Sequence, residues 1–294
     1  MEMKKNGEKI KIIIVSDIRG KKQSILPFGL KLAKHLEAEV DIIHNVDARS
    51  VHGVPSSYSD SQTIKPGLKL TYNQIIEREI LHANSMLDEV LSKEASKLNF
   101  PLTINKVIKE GRIVKEIKDS SETVALSIIL INEEVDDYIF HSQKEIVEFV
   151  ESVDDVSLLI PPQTNFQLFK NIIFITDFSN NFGLSSLSKI TSLLKFTNPQ
   201  ITAIDVAGPK RYLEKSLKCK KWQEYAENEF AGDVKTMVLK GKKQAPVLLD
   251  YINKVKSDLI IYSYRKPGFI NHIFHGSLLE KLLKKKQYPI MYLH

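Results

Sequence analysis

The same order of strand-length apolar runs occurs twice along this chain, so the fold has to accommodate two copies of one unit. The first copy reads Ile12 to Val15, Val40 to Val46, Leu102 to Ile108, Val124 to Ile131 and Val156 to Ile160. The second reads Ile172 to Thr176, Ile201 to Val206, Val234 to Leu239, Leu259 to Tyr262 and Pro289 to Leu293. Between the runs, apolar residues fall at helical intervals: Ile25, Phe28, Leu32 and Leu36; Ile76, Ile80, Leu87 and Leu91; Leu187, Ile190 and Leu194. Strand alternating with helix predicts parallel sheets covered on both faces. Three landmarks keep their order: the exits at Asp17 and Asp177, the glycines Gly111 and Gly241 after the third strands, and Ile139-Phe140-His141-Ser142 against Ile273-Phe274-His275-Gly276-Ser277. The copies are expected over 1–162 and 168–294, joined at Pro161 to Asn165. They differ most between Asp47 and Thr71, which reads as a long surface loop, whereas Lys210 to Phe230 in the second copy reads as a charged helix.

The expected compartment is the cytoplasm. No window approaches the roughly 18 consecutive apolar residues of a membrane span, so no membrane partner is expected, and the first residues are charged. The lone Cys219 excludes an internal disulfide and a thiolate metal site. Net charge is +6, concentrated at Lys210, Arg211, Lys215, Lys218, Lys220 and Lys221 and at Lys284 to Lys286. Only Tyr212 and Trp222 accompany the first cluster, too thin an aromatic interleaving for a single-strand binder, and a solvated lysine face is the commoner cause.

A strand ending in Ser-Asp or Thr-Asp, a glycine after the third strand and a Gly-Ser opening the fourth helix together resemble the universal stress protein family. Phe174 to Ser179, and Gly268-Phe269 followed by Phe274-His275-Gly276-Ser277, carry the likeness most closely. The resemblance implies two tandem α/β domains, each a five-stranded parallel sheet with helices on both faces, Rossmann-like and of the adenine nucleotide alpha hydrolase type. It also implies a site at the carboxyl ends of the strands and pairing through the last strand, so that the halves form a pseudo-dimer within one chain; a further homodimer stays open.

In nucleotide-binding members the phosphates are held by G-x2-G-x9-G-[ST], whose glycines let backbone N–H groups approach the anion. Counting back from Gly276-Ser277, the first two glycines fall on Ser263 and Lys266. The candidate nucleotide-binding residues are therefore Asp177, Ser263, Arg265, Lys266, Gly268, Gly276 and Ser277, with side-chain charge replacing part of the cradle. The corresponding positions of the first half, Asp17, Gly111 and Ser142, form a pseudo-site whose loop carries Glu133, Glu134, Asp136 and Asp137. Charges at contact distance repel by about 1 kcal/mol per pair even in water, so ATP is not expected there. Those carboxylates read as a solvated acidic loop, with Ca²⁺ or Mg²⁺ the alternative. Asp17 and Asp177 would face base or sugar, or else cap the turn into the next helix.

His272 and His275 have a spacing that could bring two imidazoles together, and His44, His52 and His82 could approach one another, but no His-Glu-x-x-His pattern or set of thiolates accompanies them, so no metal centre is expected. No G-x-S-x-G elbow, complete P-loop or G-x-G-x-x-G is present. No catalytic residue is assigned. The function expected is a non-catalytic stress-response or regulatory protein sensing AMP, ATP or another small anion through its second half, with unidentified protein partners; the alternative is a weak Mg²⁺-dependent ATPase at the same site.

Overall fold

A computed structural model describes residues 9–16, 25–46, 72–98, 100–111, 113–122, 124–133, 140, 142–178, 182–229, 233–263 and 272–293. Asp17 and the segment from Asp47 to Thr71 lie outside the described residues. The first half runs β1 (Ile10–Val15), α1 (Ile25–Leu36), β2 (Glu39–Val46), α2 (Tyr72–Ala95), β3 (Ile104–Glu110), α3 (Ile113–Ser121), β4 (Leu126–Asn132), α4 (Gln143–Ser152) and β5 (Val156–Ile160). The second runs β6 (Asn171–Ile175), α5 (Phe182–Lys189), α6 (Thr191–Thr197), β7 (Gln200–Ala207), α7 (Tyr212–Glu229), β8 (Asp233–Lys240), α8 (Gln244–Val255), β9 (Leu259–Ser263), α9 (His272–Lys285) and β10 (Ile290–Leu293).

The ten strands of the described residues join in one sheet, ordered β3-β2-β1-β4-β5-β10-β9-β6-β7-β8. Every neighbouring pair is parallel except β5 and β10, which run antiparallel with Leu159 opposite Ile290 and Ser157 opposite Tyr292. The expected pairing through the last strands is thus realised inside one chain. Strand side chains point alternately to the two faces. Ile12 and Ile14 belong to the core layer that also holds buried residues of α1, α2, α5, α6 and α7, while Ile13 and Val15 belong to the layer on the opposite face, with buried residues of α3, α4, α8 and α9. Two-sided burial is why the strands read as continuous apolar runs.

Two differences from the periodic reading have local causes. The single helix expected through Leu187, Ile190 and Leu194 is two, because Ile190 adopts φ −108° and ψ 20° and its N–H donates to Leu187 O, a tighter turn. The break still leaves Leu187, Ile190 and Leu194 all buried, so the apolar pattern is kept across it. β3 begins two residues late, at Ile104, although Val40 N still donates to Thr103 O.

The two landmark glycines serve different needs. Gly111 has φ +146°, which side-chain-bearing residues rarely adopt, and nothing crowds it. At Gly241 a Cβ would lie 2.4 Å from Val247 Cγ2 of α8, so the constraint there is close packing. Gly241→Ala is therefore expected to cost about 1–3 kcal/mol and Gly111→Ala about 1 kcal/mol in a denaturant titration. Adding Val247→Ala should rescue the first change and leave the second unrescued.

The linker between the halves packs across α1. Phe166 meets Phe28 edge-on at 5.3 Å and stacks on His35 at 5.2 Å, and Phe169 is buried 6.4 Å from Phe28. On the other face α4 packs against α9, so the seam is closed on both sides of the sheet.

Candidate functional site

In open α/β sheets a ligand crevice forms beyond the carboxyl ends of strands where successive connections leave in opposite directions. Here that point lies between β1 and β4 in the first half and between β6 and β9 in the second.

In the second half the ladder extends one residue past β6, since Thr176 N donates to Ile204 O. Asp177 is the next residue and is exposed. Phe178 then turns with φ +51°, a conformation a bulky residue adopts only under constraint, and buries its ring 5.5 Å from Trp222. That anchored ring fixes the backbone that carries Asp177 at the rim. On the neighbouring strand Asp205 is buried and paired with Lys215 of α7, Oδ2 to Nζ 2.6 Å. The same two side chains engage the strand end: Val206 N–H donates to Asp205 Oδ1 at 2.7 Å, and Lys215 Nζ donates to Val206 O at 3.4 Å. Burial holds the Asp205 carboxyl above its ordinary range; the hydrogen bond and charge of Lys215 oppose this, and the Asp177 charge adds to the rise.

One helical turn beyond Lys215, Cys219 is buried and its thiol is pushed up, first by burial and then by the charge of Asp205, against a hydrogen bond from Thr236. A thiol so held is a poor nucleophile. Ser263 ends β9, half-buried, beside Leu293 of β10. Arg265, Lys266 and Gly268 lie outside the described residues. Gly276 and Ser277 do not open the fourth helix: α9 starts at His272, which places both in its second turn. The N–H groups without an intrahelical acceptor are those of the first turn, so the first turn is where an anion would meet the helix.

The first half is built differently at matching positions. Ser16 N donates to Ile43 O as Thr176 does to Ile204 O. The registers of β1 on β2 and β6 on β7 place His44 where the second half has Asp205. His44 Nδ1 lies 2.8 Å from Ser16 O; a carbonyl only accepts, so Nδ1 carries the hydrogen. Gly111 follows β3 and is exposed. Ser142 is the N-cap of α4, accepting from Glu145 N at 3.2 Å.

The reading of the acidic stretch as a solvated loop does not hold for its first member; Glu134, Asp136 and Asp137 lie outside the described residues. Glu133 follows β4, its N–H donates to Ile160 O, and its side chain is fully buried with neither carboxyl oxygen hydrogen-bonded to a described residue. Desolvation pushes this carboxyl up to about 9, while the positive charge of Lys286 across the seam pulls the other way. Glu133 is therefore a neutral acid at physiological pH, filling the carboxyl end of β4 beside β5.

Sequence reasoning missed Asp205, Lys215 and the burial of Glu133. A lone acid inside Ile204-Asp205-Val206 was the available signal, because an acid in a two-sided apolar strand needs a buried cation. Among the described residues no cluster of three metal-ligating side chains forms. No described helix is long and apolar enough to cross a membrane.

No family model matches the chain, and no curated protein matches it in sequence. Solved structures match over nearly the whole length. A universal stress protein from Archaeoglobus fulgidus DSM 4304 superposes with a TM-score of 0.68 at 14% identity, over 96% of this chain and 97% of its own. The fold is that of the universal stress proteins. A structure described as a putative universal stress protein from Pseudomonas aeruginosa UCBPP-PA14 gives 0.59 at 11% identity, over 98% and 93%. This chain is also similar to the cytoplasmic domain of a prokaryotic cation chloride cotransporter, with a TM-score of 0.54 at 13% identity over 97% of this chain and 95% of that one. One architecture thus occurs in different protein contexts, and function has to be argued from the site.

Proposed function

We propose that this chain is a non-catalytic stress-response or regulatory protein of the universal stress protein family, with one working ligand site. The second half binds a small anionic ligand of the adenine nucleotide class beyond β6, β7 and β9. The first half has given the matching crevice over to structure. The observations that carry this reading are that the second half holds Asp177 exposed on an anchored rim, and that in the first half the position after β4 is filled by the buried, neutral Glu133. A carboxylate at the rim accepts hydrogen bonds from a base or ribose without chemistry. Lys215 balances the second buried carboxylate, so the wall behind the rim adds no unpaired negative charge.

Equilibrium dialysis with AMP and with ATP plus Mg²⁺ tests the proposal. Binding with a Kd of about 1 mM or tighter is expected, weakened about tenfold by Asp177→Ala. Absence of binding by both nucleotides at about 10 mM would remove the sensing role.

A further inference from the structure

A cavity of about 300 Å³ opens where the linker crosses from one half to the other, next to the amino ends of β6 and β9, whereas the residues of the nucleotide proposal follow the carboxyl ends of those strands. Its inner wall is apolar: Phe28 of α1 and Phe169 of the linker, 2% and 1% exposed, with Pro289 at the entry to β10. Its outer wall is the turn from α8 into β9, Lys256-Ser257-Asp258, together with the amides of Asn165 and Gln287.

The outer wall carries one charge of each sign, held apart. Asp258 is fixed by the linker: Oδ2 accepts from Lys170 N at 3.1 Å, from Asn171 N at 2.9 Å and from Asn171 Nδ2 at 3.4 Å. Among the described residues its Oδ1 accepts from Gln167 Nε2 alone, at 3.3 Å, and so keeps capacity for one more donor. Lys256 makes no ion pair with any described residue, Asp258 included, and its backbone is set by φ +51° at the end of α8. The side-chain amides of Asn165 and Gln287 have no protein partner among the described residues. Ser257 is committed, its hydroxyl donating to Leu259 O at 2.7 Å.

We propose that this seam cavity binds a zwitterion of amino-acid size with an apolar side chain. The ligand's ammonium group would donate to Asp258 Oδ1, its carboxylate would meet Lys256 and the two amides, and its side chain would cover Phe28, Phe169 and Pro289. A simple anion would leave Asp258 repelling it and a simple cation would face Lys256, so a ligand carrying both charges fits where neither half-charge does. The volume sits at the low end of the roughly 300–1,000 Å³ of ligand pockets, which limits the occupant to a small molecule. Because Phe28 belongs to the first half and Lys256 and Asp258 to the second, an occupant bridges the halves.

Calorimetric titration of the full chain with L-phenylalanine and L-leucine, and with the decarboxylated and deaminated analogue of each, tests this. At least one amino acid should bind with a Kd of about 1 mM or tighter, and both of its analogues about tenfold more weakly. Lys256→Gln should weaken binding about tenfold while leaving the ligand-free melting temperature unchanged, and Asp177→Ala should leave binding intact. No binding of either amino acid at about 10 mM would overturn the proposal. So would analogues that bind equally well, a Lys256→Gln variant that binds as the parent does, or loss of binding in Asp177→Ala, which would place the ligand in the carboxyl-end crevice.

Discussion

Glu133→Gln stabilises the folded chain above neutral pH, by an amount that grows with alkalinity. The acid is raised from its ordinary value of 4.5 to about 9 by burial, so the folded state holds its proton across a range in which the unfolded chain releases it. For such a group the stability is fully present below about 4.5 and is lost as pH rises through the folded value, at about 1.4 kcal/mol per pH unit. Glutamine has no such slope. At pH 5 the two proteins should therefore melt alike, the amide itself gaining nothing from a site with no hydrogen-bond partner among the described residues. By pH 8 the variant should lead by roughly 3–5 kcal/mol. Guanidinium titrations at several pH values measure the difference of slopes directly. Parallel stability curves for the two proteins would mean that Glu133 ionises freely, and that the first-half crevice is open to water after all.

Lys215→Met produces the second large effect, a loss of roughly 3–5 kcal/mol, because it leaves the buried Asp205 without its cation. The sign of its pH dependence follows from the same logic. Removing Lys215 takes away the influences that lower the Asp205 pKa, so the folded value climbs further above 3.8. The penalty is small in acid and grows with pH. A double change, Asp205→Leu with Lys215→Met, should recover most of the loss, since breaking one partner of a buried pair costs far more than replacing both with apolar groups. Trp222 is the sole tryptophan, lies on α7 and is buried against Phe174 and Phe178. Its fluorescence reports unfolding at the helix that carries Lys215.

The fold was legible because two-sided burial writes itself into a sequence as uninterrupted Ile, Leu and Val, and duplication wrote it twice. Ile128 to Ile131 and Leu259 to Tyr262 could be little else than central strands. Ile190 was less legible, since the same apolar spacing serves one helix or two, and only its backbone angles separate them. The site was read in part. Asp177 announces itself by following a strand, a local property of sequence. The ion pair of Asp205 with Lys215 and the burial of Glu133 within reach of the charge of Lys286 are set by how layers and halves meet, at separations of 10 and 153 residues that no local pattern encodes. Glu133 misled for a physical reason: an acidic run implies water, yet its first member is drawn inward when its own N–H extends the ladder to Ile160.

The antiparallel meeting of β5 and β10 also has a consequence for biosynthesis. β5 ends at Ile160, but the strand that covers its free edge ends at Leu293. While the ribosome makes the second half, the first half therefore carries an open edge strand, Val156 to Ile160, whose five side chains are all buried in the finished protein. A nascent or prematurely terminated first half would satisfy that edge by pairing with the same strand of another copy, in the geometry that β10 provides in the intact protein. Fusing the halves replaces an encounter between molecules with one along a single tether, so closure of the edge depends on elongation time and not on how many copies the cell contains.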